Sequence, residues 1–275
     1  MNWDFHCHSS VSDGLLPPAQ VVARAAANGV DLLALTDHDA IDGLAAADAA
    51  AREAGIRLLP GVEISIEWQG TPIHIVGLGI DASCAVLVEG LASLREGRTE
   101  RARRMSAALE KVGIPGAFEG ALRYAANPSL VSRAHFARFL VEHGVCDEVK
   151  RVFDRYLVPG KPGYVEHQWA TLADATGWIA AAGGIAVVAH PARYKLTNGA
   201  TRRFLEDFIA HGGQGIEVVC GSHTPDNVRQ FARLATDLGL YASRGSDFHG
   251  PEESVVDLGR MPELPAGQRP VLELL

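Results

Sequence analysis

The sequence predicts an α/β barrel interrupted by a helical insert, and three observations lead there. Strand-length apolar runs alternate with amphipathic helices over residues 1–83 and again over 165–275. Short blocks of histidine and carboxylate recur at the ends of those runs: FHCH with Asp13 beyond it, TDHD over 36–39, PGVE ending at Glu63, IHIVG around His74, VVAHP around His190, and GSDFH closing on His249. Barrels of alternating strands and helices gather distant residues in this way, because their active sites are built at the C-terminal ends of the strands. Between 84 and 164 the strand pattern disappears and helical patterning takes over.

The elements follow in order. A first strand, Asp4 to His8, leads into a helix that opens on Pro17-Pro18, carries Val21, Val22 and Ala25 on one face, and stops at Gly29. Proline suits a first helical turn, where its missing N–H has no partner to lose. An apolar strand, Leu32 to Leu35, completes a βαβ unit. An alanine-rich helix from about Asp42 to Ala54 ends at Gly55, and strands Leu58 to Ile66 and Ile73 to Leu78 follow. The insert reads as a long charged helix through Leu94 and Met105 to Lys111, then helices Phe118 to Ala125, Ser132 to His143 and Asp147 to Tyr156. Beyond it come helix Leu172 to Ala182, strand Ile185 to Ala189, helix Thr201 to His211, strand Gly215 to Val219, helix Pro225 to Leu238 and strand Tyr241 to Arg244.

Composition limits the remaining choices. With 275 residues and 47% hydrophobic content, the chain can bury one large core and a smaller accessory one. A formal net charge of −8 argues against a long duplex-binding groove, which requires lysine and arginine to neutralise phosphates. Cys7, Cys84, Cys146 and Cys220 are scattered without a CxxC pair, and no basic segment followed by an apolar run opens the chain. That combination predicts a cytoplasmic protein. No apolar stretch is long enough to cross a bilayer, so no membrane partner is expected, and nothing signals an obligatory protein partner.

Alternate strand residues point to one face, so His6 and His8 project together while Cys7 points away; Asp247 and His249 have the same spacing. His6, His8, Asp13, His38, Glu63, His74, His190, Asp247 and His249 make nine candidate metal ligands. An open catalytic ion takes about three protein ligands plus water, so this set serves two or three divalent ions. Mixed imidazole and carboxylate ligation suits manganese first, with zinc, iron or magnesium as alternatives, and excludes an all-thiolate structural zinc. The positive charge left over beside three carboxylates favours an anionic substrate such as a phosphate ester. A covalent mechanism through Cys7 is not expected, since no Cys-x5-Arg loop follows it. The expected reaction is attack by a hydroxide bridging two ions, with Glu63, Asp247 and His190 at the catalytic centre.

Substrate contacts are expected from several sites. Ser132 reads as a helix N-cap with Arg133 and His135 in the first turn, so free backbone N–H groups and a guanidinium converge there on a phosphate. Arg193 follows His190 closely and can hold a phosphate in bidentate fashion, which lysine cannot. Lys161 in the KPGY loop and His223 complete the set, with His223 also a candidate proton donor to the leaving group. Arg95, Arg98, Arg101, Arg103 and Arg104, interleaved with Glu96 and Glu100, read as a solvated helix face with local ion pairs. Asp37 and Asp39, flanking His38, read as outer partners that orient histidine ligands.

Taken in order, His6-Cys7-His8 with Asp13, Thr36-Asp37-His38, Glu63, His74, His190 and Asp247-Phe248-His249 resemble the PHP family, named for polymerase and histidinol phosphatase. The resemblance implies a distorted seven-stranded TIM-like barrel, the PHP fold, with a two- or three-metal site. It implies that His6, His8, Glu63 and Asp247 surround one ion, that Glu63 bridges to a second held by His74 and His190, and that Asp13, His38 and His249 form a third position. Ser132-Arg133-x-His135, the KPGYV segment and Ala189-His190-Pro191-x-Arg193-Tyr194 are similar to the TrpH/YciV-type branch. That branch implies removal of phosphate from nucleoside 3′,5′-bisphosphates to leave nucleoside 5′-monophosphates, or, as the alternative, 5′-to-3′ exonuclease action on short 5′-phosphorylated RNA or DNA. The 84–164 insert is expected to cap the barrel mouth and contribute to substrate binding.

Overall fold

The computed structural model describes residues 1–166 and 169–275. Seven strands form one mixed sheet in sequence order: β1 (Trp3–Asp4), β2 (Leu32–Leu35), β3 (Arg57–Trp68), β4 (Thr71–Leu78), β5 (Ile185–Val188), β6 (Gly215–Cys220) and β7 (Tyr241–Gly245). A parallel bridge from Cys7 to Phe248 and a hydrogen bond from Phe5 N–H to the Arg244 carbonyl bring the two edges together, so the sheet nearly closes into a barrel. Helices α1 (Pro18–Ala27), α2 (Leu44–Ala54), α7 (Leu172–Ala181), α8 (Asn198–Ala210) and α9 (Pro225–Leu238) surround it. This is the distorted TIM-like barrel expected from the sequence.

The distortion has a local cause. β3 and β4 are joined by the two-residue turn Gln69-Gly70 and pair antiparallel, and β4 also runs antiparallel to β5. A hairpin of this length leaves no room for a crossover helix. His74 therefore lies midway along its strand, opposite Ser65, yet level with Ala189 just past the C-terminal end of β5.

Strand alternation divides the apolar residues between two clusters. Leu33, Leu35, Ile64, Ile66, Val188, Ile216 and Val218 pack against the helices with Val21, Ala47, Ile179 and Phe231. Leu32, Ala34, Val76, Leu78, Ile185 and Val187 pack with Trp3, Phe5 and Val271. β1 is shorter than the expected strand, because pairing with β2 stops at Asp4 and Cys7 instead bridges to Phe248.

Between β4 and α7 lie α3 (Ala85–Glu110), α4 (Ala117–Leu122), α5 (Arg133–Glu142) and α6 (Val149–Val152), the last continuing into a π turn over Phe153–Leu157. Met105, Leu109, Phe118, Phe136, Leu140, Val152 and Leu157 form a separate core there. α3 serves both cores, with Leu87, Leu91 and Leu94 in the barrel cluster and Met105 and Leu109 in the other. The expected helix from Asp147 to Tyr156 is thus a single α-helical turn followed by wider backbone spacing.

Candidate active site

Glu63 is fully buried at the centre of the site, and its two carboxylate oxygens face different histidines. Oε2 lies 3.3 Å from His6 Nε2, 3.2 Å from His8 Nε2 and 3.0 Å from His38 Nδ1. Oε1 lies 2.9 Å from both His74 Nδ1 and His190 Nε2. Asp247 Oδ1 is 3.5 Å from His6 Nε2 and 3.4 Å from His8 Nε2. Asp13 Oδ1 is 3.4 Å from His249 Nε2 and 3.9 Å from His38 Nε2. The structure thus brings all nine sequence-predicted ligands into one cluster. Among the described residues, four overlapping groups have ligand atoms within 4.8 Å of one another: His8, Asp13, His38 and His249; His6, His190 and Asp247; His6, His8 and Glu63; and His38, Glu63 and His74.

The donors fit divalent ions. His8 Nδ1, Asp13 Oδ1, Glu63 Oε2, His190 Nδ1 and Asp247 Oδ1 are buried without a hydrogen-bond partner in the protein. Leaving carboxylate oxygens in that state is costly, and a shared cation resolves it. Burial by itself would raise the Glu63 carboxyl, but the His38, His6 and His74 rings outweigh it and hold Glu63 well below the usual carboxylate range. Burial, reinforced by Arg193, pushes His190 down to about 4, so its ring is neutral and its nitrogens are able to ligate at neutral pH.

Backbone strain concentrates here. His190 and Asp247 have φ of 25° and 54°, and Asp39 has 48°. Non-glycine residues rarely occupy this region, and three instances around one cluster show the surrounding structure holding the chain in place. Cys7, which lies between His6 and His8, turns away from the cluster and points its thiol at the Ala34 carbonyl, 3.3 Å distant.

The cluster opens into a cavity of about 860 Å³, lined among others by Asp13, His38, His74, Arg98, Arg101, Ser132, Arg133, Trp169, Arg193, Asp247 and His249. Arg193 pairs with Asp247 from a half-exposed position. Ser132 accepts from Ala134 N–H as an N-cap and directs its hydroxyl to Asp13 Oδ2 at 3.2 Å. Arg133 lines the same wall with its guanidinium 5.7 Å over the Phe153 ring.

Three expected substrate contacts lie elsewhere. His135 is buried with its Nδ1 accepting from Ser132 N–H, so it closes the helix cap and does not reach the cavity. Lys161 is exposed on the turn after Val158, outside the lining residues. His223 hydrogen-bonds the Val218 carbonyl at 3.0 Å, stacks on Phe231, and also lies outside the lining.

The basic helix departs from its expected character. Arg98 and Arg101 are each 4% exposed, so they are not a solvated face. Arg98 pairs with the fully buried Asp39, Arg101 donates to the Val165 carbonyl at 2.9 Å, and both guanidinium groups lie over the Trp169 ring. Asp37 and Asp39 also take other roles than orienting His38. Asp37 accepts from Ser9 N–H and from the hydroxyls of Ser9 and Ser12, which shapes the loop leading to Asp13, and Asp39 accepts from Ser65 N–H.

Sequence reasoning passed over Glu217. It is 1% exposed on β6, with one oxygen 2.6 Å from His6 Nδ1 and the other accepting the His190 backbone N–H. The available signal was a lone carboxylate inside the apolar run Gly-Ile-Glu-Val-Val, which is costly unless partnered.

The model of the PHP domain family matches residues 4–209. A 3′,5′-nucleoside bisphosphate phosphatase of Chromobacterium violaceum is 54% identical over 270 residues, covering 98% of this chain and 95% of its own. A 5′-3′ exoribonuclease of Haemophilus influenzae is 44% identical over 271 residues, covering 98% of each. A solved structure of an amidohydrolase from C. violaceum, with sulfate bound and no metal, is 54% identical and superposes with a TM-score of 0.97, covering 100% of this chain and 95% of that one. With its barrel, its histidine and carboxylate cluster, and this match in both sequence and fold, the chain belongs to the PHP family.

Proposed function

We propose that this protein is a metal-dependent phosphoesterase that removes the 3′-phosphate of a nucleoside 3′,5′-bisphosphate, giving a nucleoside 5′-monophosphate and phosphate. The observation that carries the reading is the position of the cluster around Glu63 at the base of a cavity whose wall bears Arg98, Arg101, Arg133 and Arg193. Its volume falls within the range of small-molecule sites, roughly 300 to 1,000 Å³. The C. violaceum relative named for this activity matches over nearly its whole length.

Two or three divalent ions, manganese first among them, would be held by His6, His8, Glu63 and Asp247, by Glu63, His74 and His190, and by Asp13, His38 and His249. When bound, such ions supply Lewis-acid polarisation of the phosphoryl group and a water acidic enough to attack near neutral pH. Glu63 would serve two of these positions, since its oxygens face separate sets of histidines. Asp247 stays ionised despite its burial, through Arg193 and His6. Arg193, with its side chain 47% exposed, is free to exchange that carboxylate for a substrate oxygen. Arg133, across the cavity on α5, takes the phosphate that does not react, and the 84–164 helices cap the mouth and limit substrate size. Four free cysteines, three of them buried, suit a cytoplasmic location.

Exonuclease action on short 5′-phosphorylated strands is the second reading, favoured by the 44% identity to the H. influenzae exoribonuclease. The test compares kcat/KM on a nucleoside 3′,5′-bisphosphate with that on 5′-phosphorylated oligonucleotides of increasing length at several salt concentrations. The phosphatase reading expects efficient mononucleotide turnover, little gain with length and a shallow salt dependence. A salt slope that steepens with length would mean contacts to several backbone phosphates and would promote the exonuclease.

A further inference from the structure

We infer that Glu217 is a positioning residue that holds His6 and His190 in ligating geometry and thereby sets the affinity of the ions they share. The inference rests on the reading of His6 and His190 as metal ligands. Glu217 itself lies behind both of them and is not among the cavity-lining residues.

Its two oxygens do different work. Oε1 sits 2.6 Å from His6 Nδ1, which places the ring proton on Nδ1 and leaves the Nε2 lone pair directed at Glu63 and Asp247. Oε2 accepts the backbone N–H of His190 at 2.5 Å. That residue holds a left-handed φ of 25°, a conformation non-glycine residues seldom adopt and one the surrounding contacts must support. One carboxylate on β6 therefore braces ligands from the segment after β1 and from the end of β5. The register of β6 against β7 shifts between Glu217 and Val219, an irregularity of the kind that re-aims a strand side chain.

The neighbouring backbone is shaped for this contact. A Cβ at Gly245 would stand 2.3 Å from His6 Cβ and 3.1 Å from Glu217 Oε1, so only glycine leaves room for the two groups to meet. Among the described residues, Glu217 bonds to His6 and His190 and to none of Asp13, His38 or His249, so its influence is confined to part of the cluster.

The experiment is a metal-binding titration of purified wild type, Glu217→Gln and Val218→Ala by equilibrium dialysis against buffered manganese, with metal content as the readout. Glutamine keeps the shape but replaces one acceptor by a donor, so it cannot serve the His6 and His190 N–H groups together. The expected result is an affinity about 10- to 100-fold weaker in Glu217→Gln for the ions that use His6 and His190, with any ion held by Asp13, His38 and His249 unchanged. Val218→Ala loses a core side chain on the same strand and controls for instability; it should lower the denaturation midpoint and leave the isotherm unchanged. An isotherm for folded Glu217→Gln matching wild type would overturn the role of Glu217, as would an equal loss in Val218→Ala. Failure of wild type to bind manganese, zinc, iron or magnesium would instead overturn the ligand reading beneath it.

Discussion

Replacing Arg98 by methionine should cost about 3 to 5 kcal/mol of stability, the range for breaking a buried ion pair by removing one partner. An exposed pair would contribute only about 0 to 1 kcal/mol, so the burial of this one decides the magnitude. The side chains of Arg98 and Asp39 are 5% and 0% exposed. Without Arg98, the Asp39 carboxylate keeps the Ser65 N–H at 2.8 Å but loses its guanidinium counter-charge in a place water does not reach. Asp39→Asn alone should also destabilise, by leaving Arg98 unpaired. The double variant should lose at least about 1 kcal/mol less than the two single losses added together, because neither charge remains stranded. Urea unfolding followed by tryptophan fluorescence provides the measurement. It should be run with a chelator present, since bound ions would stabilise the native state on their own account. A loss below about 1 kcal/mol for Arg98→Met, or single losses that simply add, would show that this arginine behaves as a solvated charge.

Further outcomes follow from the site. Glu63→Gln should reduce metal content and kcat/KM more than His74→Ala does, since one carboxylate faces two sets of histidines; metal analysis with steady-state kinetics checks this, and a Glu63→Gln protein of normal content and turnover would contradict it. Arg133→Ala and Arg193→Ala should keep their metals and lower kcat/KM by about tenfold to 150-fold each, with larger losses on bisphosphates than on monophosphates; equal losses on both would place these arginines on the reacting phosphate. His135 is pushed down to about 4 by burial, so the folded state binds its proton less readily than the unfolded state. Its stabilising contribution is complete above the unfolded value near 6.5 and is lost as pH falls toward 4, a total of about 3 kcal/mol. His135→Gln keeps a capping partner for Ser132 and should flatten that part of the stability profile, measured by urea unfolding at each pH in chelator; a profile parallel to wild type would contradict it.

Element order and the cluster of histidines and carboxylates were legible from the chain alone, because both are written in short-range patterns. Alternation along an extended segment sets the directions of His6, Cys7 and His8, and the Ser132 cap marks where α5 begins. Blocks at strand ends needed only a barrel to bring them together, and the periodicity predicted one. Burial and partnership were not legible there, because no local pattern encodes them. Arg98 and Arg101 look like surface charges on a helix and become buried cations because Trp169 and Asp39 meet them from elsewhere in the chain. His135 and His223 carry the chemistry of ligands, yet His135 accepts the Ser132 N–H and His223 meets the Val218 carbonyl through Nδ1, and neither lines the cavity. Lys161 is left outside because its turn projects into solvent. Glu217 went unread for the same reason in reverse: its partners, His6 and His190, are 211 and 27 residues away, and only closure of the barrel brings them within hydrogen-bond range.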